Sequence, residues 1–325
     1  MESQEIINVK HWQIIQDIFS SLIGISLRSL DAGGRIIVRP SNMPGLCQEM
    51  VDINPAVKKK CWQWFVQLAN HLEKQCPAKY SESVCPLGLV NIALPLSFNN
   101  GKSLYLIIGP LVFENNKNNI KLTSRIQELG MDEDKFFQYY NKLPSINATK
   151  ISKIAESLNS IALFMAKLND FELKQENEKF VFDQETIGAL LKTFLELAMK
   201  LCDAEFGSVM VFEKNKKHLS IKEANHLSDE IINNTKIKPG EGIAGMSIER
   251  RKAMFINDQL NDRNIRLHMR KPKTKSAFVI PVFYKTEVLG VISVGTAKSP
   301  NNFSDKLMEL LNELVGMALE KISLE

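Results

Sequence analysis

Four of the chain's five cysteines, Cys47, Cys61, Cys76 and Cys85, fall between positions 47 and 85. Clustered thiolates suit a soft cation such as zinc, an iron–sulfur cluster, or thiol–disulfide exchange. Cys76 and Cys85 each precede proline, as ligands of iron–sulfur clusters often do. In the metal reading, Cys47, Cys61 and Cys85 are the leading ligands and Cys76 is the fourth. No pair has CxxC spacing, and free cysteine also packs as a small hydrophobe. Metal centre, redox sensor and four packed free thiols therefore all stay open.

Other reactive patterns are weaker. Trp62 and Trp64 flank Cys61 on a predicted helix, and residues two apart do not share a helix face. One indole is expected in the core and the other at a pocket or interface. Gly240-Glu-Gly-Ile-Ala-Gly245 matches GxGxxG by letter, but the polar run before it ends in Pro239, not in the buried strand a dinucleotide site needs. Its glycines are expected to set turns. His11, His71, His218, His226 and His268 are scattered without ligand spacing. No nucleophile–base set or carboxylate pair stands out, so the chain reads as a non-enzyme.

These residues must be positioned by two similar β-ribbons. Ala93–Phe98 and Ser103–Gly109 flank a polar turn, and so do Val279–Tyr284 and Val288–Gly295. Both pairs predict antiparallel hairpins. Around them the periodicity predicts helices over Val9–Ile23, Pro55–Leu72, Ile120–Leu129, Asp132–Lys142, Ile187–Leu201 and Ser304–Leu324. Asn54-Pro55 supplies a cap and a first-turn proline. Strands are expected at Ile25–Leu30, Arg35–Val38, Ser208–Phe212 and Leu219–Ala224. Ile151, Ile154, Leu158, Ile161, Met165 and Leu168 form an apolar seam, which fits either a coiled coil or a helix packed on its own chain.

Composition limits the classes of function. Apolar content of 44% and charged content of 24% are those of a globular protein. A net charge of +4 argues for no nucleic-acid partner, and Lys271-Pro-Lys-Thr-Lys275 reads as a solvated loop. The N-terminus has no basic-then-apolar signal pattern. No apolar run reaches membrane-spanning length. A cytoplasmic protein is expected.

Two family resemblances fit this organisation. Pro239-Gly-Glu-Gly-Ile-Ala-Gly245, Phe255-Ile-Asn-Asp258, Asn261-Asp262 and the run from Ile280-Pro281 to Leu289-Gly290 resemble the GAF family of small-molecule sensory domains. Trp12 to Gly24, Asp31-Ala-Gly-Gly34, Cys47, Cys61, Cys85-Pro-Leu-Gly88 and Ala93-Leu-Pro95 through Gly109 resemble the PocR sensory domain, a PAS-like variant. That resemblance implies cysteines at the positions of Cys47, Cys61 and Cys85, and sensing of small hydrocarbon derivatives upstream of a regulator. GAF-like methionine sulfoxide reductases need several cysteines in that domain, and here there is only Cys202.

The expectation is an α+β chain with two tandem PAS/GAF-like domains, each a central antiparallel sheet flanked by helices. A PocR-like domain would occupy 1–146, a helical linker 147–182 and a GAF-like domain 183–325. Trp64, Asn42 and Gly109 are the candidate ligand contacts of the first domain, and Gly242 and Phe212 those of the second. A small-molecule ligand, a homodimer and a downstream regulatory protein are the expected partners.

Overall fold

Asn8 starts the first helix, α1 (Val9–Ile23), because its side-chain oxygen accepts the His11 backbone N–H. Gly24, in the left-handed region, ends it by donating to the Ser20 carbonyl. The computed structural model describes residues 8–51, 54–75, 80–97, 103–113, 119–177, 184–213, 217–257, 275–284, 287–297 and 305–322. The chain divides into two compact units, 1–166 and 167–325.

In unit 1 the strands are β1 (Leu27–Leu30), β2 (Ser81–Val84), β3 (Val90–Ser97), β4 (Ser103–Phe113) and β5 (Ser145–Ile146). Their order is β1-β4-β3-β2, antiparallel, with β5 added in parallel on β4. The first predicted hairpin is thus central to the sheet; its turn lies outside the described residues. Both faces of the sheet are covered, which is why its strands read as nearly unbroken apolar runs. On one face α1 buries Trp12, Ile15 and Phe19. On the other, helix α2 (Pro55–Gln75) packs Leu68, Ala69 and Leu72 against Leu30, Ala93, Tyr105 and Ile107. Asn54 caps α2 by accepting the Ala56 and Val57 N–H groups, both at 3.2 Å. Helices α3 (Asn119–Glu128) and α4 (Glu133–Tyr140) add Leu122, Ile126 and Phe136 to a second cluster with Leu46, Val57, Leu87 and Leu89.

The expected strand Arg35–Val38 is reduced to an isolated bridge between Ile36 and Leu30. Arg35 and Ile36 are exposed beside the sheet edge, and Asp31 holds the preceding turn closed through the Arg35 N–H and Nε. Residues 46–51 form a short π-helical segment.

Helix α5 (Ala148–Asn177) carries the predicted seam. All six seam residues are buried in the folded chain, at 6% exposure or less. Of the two readings of the seam, coiled coil or helix packed on its own chain, burial within the chain fits the second.

Unit 2 contains helix α6 (Gln184–Leu201), strands β6 (Phe206–Phe212) and β7 (Leu219–Asn225), helix α7 (Asp229–Asn234), strand β8 (Lys236–Ile237), helix α8 (Gly242–Glu249), strands β9 (Met254–Asn257), β10 (Ser276–Tyr284) and β11 (Glu287–Thr296), and helix α9 (Asp305–Ile322). The sheet order is β8-β7-β6-β11-β10-β9, all antiparallel, with the second predicted hairpin again inside it. Met246 and Ile248 of α8 close one face over Met210, Ile256, Val279 and Val291. Gly240 and Gly242 both have positive φ, and a Cβ at Gly245 would run into the Lys238 carbonyl. The GxGxxG letters thus encode a tight turn, as the polar run before them implied.

A buried polar chain ties α1 to the sheet. Trp12 Nε1 donates to Ser29 Oγ at 2.7 Å, Ser29 donates to Gln16 Oε1 at 2.6 Å, and Gln16 Nε2 donates to Ser41 Oγ at 2.7 Å. Replacing Ser29 by alanine leaves the Trp12 donor and the Gln16 acceptor without that partner. We expect Ser29→Ala to destabilise the protein by about 1–3 kcal/mol in urea denaturation; an unchanged midpoint would show the chain to be dispensable.

Candidate functional site

The ladder between β3 and β4 loses its regular register between Val90 and Ile92. Opposite the break lies Gly109-Pro110, and proline has no N–H to give to a ladder. Bulges of this kind re-aim side chains at functional sites. Here Asn91 falls at the break, and a pocket of about 190 Å³ opens beside it, walled by residues of β1, β3, α2, the 36–51 segment and the Cys85–Leu89 turn.

Helix α2 supplies Lys58, Cys61, Trp62, Trp64 and Phe65 to the wall. Lys58, Cys61, Trp62 and Phe65 form a stripe at three- and four-residue spacing, and Trp64 lies one turn beyond Cys61. Both indoles therefore border one pocket from opposite edges of the stripe. One indole was expected in the core and the other at a pocket or interface; Trp64 takes the first place, also reaching the pocket, and Trp62 the second. Trp62 is 57% exposed at the rim, whereas Trp64 packs into the core and donates to Ser83 Oγ at 3.2 Å. Ile36, Pro40, Met43, Leu87, Leu89 and Pro110 make most of the remaining wall apolar.

Two polar groups interrupt it from the sheet. Arg28, only 6% exposed, donates from Nη1 to the Gly109 carbonyl at 2.8 Å. Asn91 donates from Nδ2 to the Leu89 carbonyl at 3.1 Å. A Cβ at Gly109 would stand 2.8 Å from Asn91 Oδ1 at a φ of +137°, so only glycine keeps that corner open.

Of the candidate residues, Trp64, Cys47, Cys61 and Cys85 come together in this pocket. Gly109 is not a wall residue; it acts through its carbonyl on Arg28. Asn42 is exposed, with a φ of +47°, between the wall residues Pro40 and Met43. Gly242 opens α8 and Phe212 packs beside the apolar cluster beneath it, both in unit 2. Cys76 lies outside the described residues. Arg28 and Asn91 were not singled out from sequence. Each is a large polar side chain in a strand that is buried on both faces, and that was the available signal.

The cysteines are chemically unequal. Burial pushes the Cys85 thiol up to about 11, against the opposing pull of the Leu89 and Leu87 N–H groups and the Arg28 charge. Burial pushes Cys202 to about 12. Among the described residues, no group of three or more His, Cys, Asp or Glu is placed to hold a metal ion.

The site is thus a partly open, mostly apolar pocket beside a five-stranded sheet. The sequence model described as the sensory domain found in PocR matches residues 5–170, and the chain belongs to that family. A GAF domain follows, matched over residues 184–318. No curated protein matches the chain. Similar solved structures include the GAF domain from an Acinetobacter phosphoenolpyruvate-protein phosphotransferase, with 14% identity, 55% of this chain, 98% of that one and a TM-score of 0.38. The type II free methionine-R-sulfoxide reductase from Thermoplasma acidophilum has 15% identity, 42% and 93% coverage and a TM-score of 0.36. The free methionine-R-sulfoxide reductase from Neisseria meningitidis has 16% identity, 50% and 89% coverage and a TM-score of 0.37. Among the described residues, no helix is long and apolar enough to cross a membrane.

Thiol chemistry provides a direct check. At pH 8, iodoacetamide followed by peptide mass spectrometry should modify the half-exposed Cys47 and Cys61 well before Cys85 and Cys202. Folding raises the latter two thiols above the value of about 8.5 for an unfolded cysteine. The unfolded state therefore releases these protons first, and stability falls as pH rises from about 9 towards 11. Cys202→Ala should lessen that fall; an unaltered slope would show that burial of this thiol is not its cause.

Proposed function

We propose that the protein is a non-enzymatic signal sensor whose first unit binds a small metabolite in the pocket between the sheet and α2. The PocR and GAF family matches support a sensing role. The observation that carries the ligand reading is the wall itself, where aromatic and aliphatic side chains surround a few convergent polar groups, as in small-molecule sites generally. Cys202, the single cysteine of the GAF-matched region, is buried with its thiol pushed up to about 12, which weighs against reductase chemistry there. Binding changes signalling only if the ligand prefers one of two conformations. Helix α5 runs across the end of the PocR match at residue 170 and stops short of the GAF match at 184, and we assign it the role of carrying that preference to a downstream regulatory protein.

The test is thermal denaturation against a panel of small diols, alcohols and carboxylates. A ligand at about 100 times its Kd adds about 2.7 kcal/mol, a rise of roughly 5–10 °C for a unit of this size. Met43→Trp, which fills the pocket from its wall, should abolish the rise while keeping the fold. A flat panel, or a rise that persists in Met43→Trp, would overturn the reading.

One observation favours a second reading, a thiol-redox or metal sensor: Cys47, Cys61 and Cys85 share the pocket. It predicts stoichiometric zinc or iron, or a reversible disulfide, in anaerobically purified protein. Metal-free protein in which all five cysteines titrate as thiols after unfolding would remove it.

A further inference from the structure

We propose that the pocket takes an anionic ligand, a small carboxylate with an apolar tail, anchored by Arg28; this rests on the pocket of unit 1 being the receptor site. Arg28 stands on β1 and is a wall residue of the pocket. A guanidinium has five N–H donors, and the Gly109 carbonyl takes one of them. Among the described residues no carboxylate pairs with Arg28. The described ion pairs join Asp31 to Arg35, Asp17 to Arg39, Glu49 to Lys135 and Glu213 to Lys236. Its neighbour Cys85 remains a neutral thiol at neutral pH, so it supplies no counter-charge. None of the Arg28 nitrogens is among the enclosed atoms left without a partner. The donors that no protein atom takes are therefore not sealed away from solvent, and the pocket is the opening that Arg28 lines.

An uncharged occupant would cover this cation and leave its charge uncompensated, an arrangement that is strongly unfavourable. A carboxylate meets it in two parallel hydrogen bonds, the geometry that a guanidinium fork is shaped for. The Gly109 carbonyl fixes the fork in place. Asn91, across β4 from β1, adds a second N–H at the same end, because only one Asn91 N–H is engaged by Leu89. The rest of the pocket, built from Met43, Trp64, Phe65, Leu87 and Leu89, presents apolar surface to a tail. An apolar cavity of about 150 Å³ holds benzene, so 190 Å³ accommodates a ligand of the size of benzoate or hexanoate.

The experiment compares matched probes on the full-length protein by isothermal titration calorimetry up to millimolar concentration: benzoate with benzyl alcohol, and hexanoate with 1-hexanol. The expected result is that the acids bind roughly 10- to 100-fold more tightly than their alcohols. Arg28→Met should erase that preference, with the alcohols binding at least as well as before and circular dichroism confirming the fold. The wild-type comparison needs no variant and stands even if Arg28→Met does not fold. Alcohols binding as tightly as the acids would overturn the carboxylate proposal and leave the receptor reading intact. Absence of binding by either class also overturns the proposal, and the wider panel with Met43→Trp then decides the receptor reading separately. Unchanged benzoate affinity in folded Arg28→Met would likewise overturn it.

Discussion

A cation held out of water must be answered by something, and in this protein the Arg28 guanidinium is answered by one backbone carbonyl at 2.8 Å. Much of the PocR unit is arranged around that fact. Pro110 interrupts the β3–β4 ladder, Gly109 lends its carbonyl and omits a side chain, and Asn91 occupies the resulting break. Helix α2 adds Trp62, Trp64 and Phe65 to the pocket wall, and such apolar surroundings strengthen an electrostatic contact made beside them. The sheet provides the rigid floor, because both its faces are packed and its strands cannot slide without exposing core side chains.

The second unit repeats the architecture with different contents. Its sheet also has a central hairpin, but the cluster beneath α8 is made of methionine, leucine, isoleucine and valine side chains, with no counterpart to Arg28 among them. Apolar packing of this kind transmits displacement, since closely packed side chains have few alternative arrangements. The two units thus differ in content: the first places a buried arginine on the Gly109 carbonyl, and the second presents a dense apolar layer.

The elements were legible in the sequence where periodicity and punctuation agreed. Apolar periodicity marked α1, Asn54-Pro55 opened α2, and both hairpins fall on apolar runs separated by polar turns. The glycines at 240–245 were legible as turns because a polar segment precedes them. Less was legible of the site. Trp64, Cys47, Cys61 and Cys85 were found from residue type. Arg28 and Asn91 were not, because a charged residue in a strand usually marks a solvated edge, and only the tertiary packing shows these faces to be covered. The Ile151–Leu168 seam fitted two partners equally well from spacing alone, and burial within the chain selects one. Helix geometry separated Trp64, which packs into the core, from Trp62, which is exposed at the pocket rim, but spacing did not show that Trp64 also reaches the pocket.

The most direct measurement is nuclear magnetic resonance of the arginine Nε–Hε groups, with the Arg28 signal assigned by substitution, during titration with benzoate. With benzoate bound, the Arg28 resonance should move downfield in a saturable manner and its Hε should exchange more slowly with water, while the signals of the exposed Arg35 and Arg39 stay in place. Saturable benzoate binding that leaves the Arg28 resonance unmoved would contradict it.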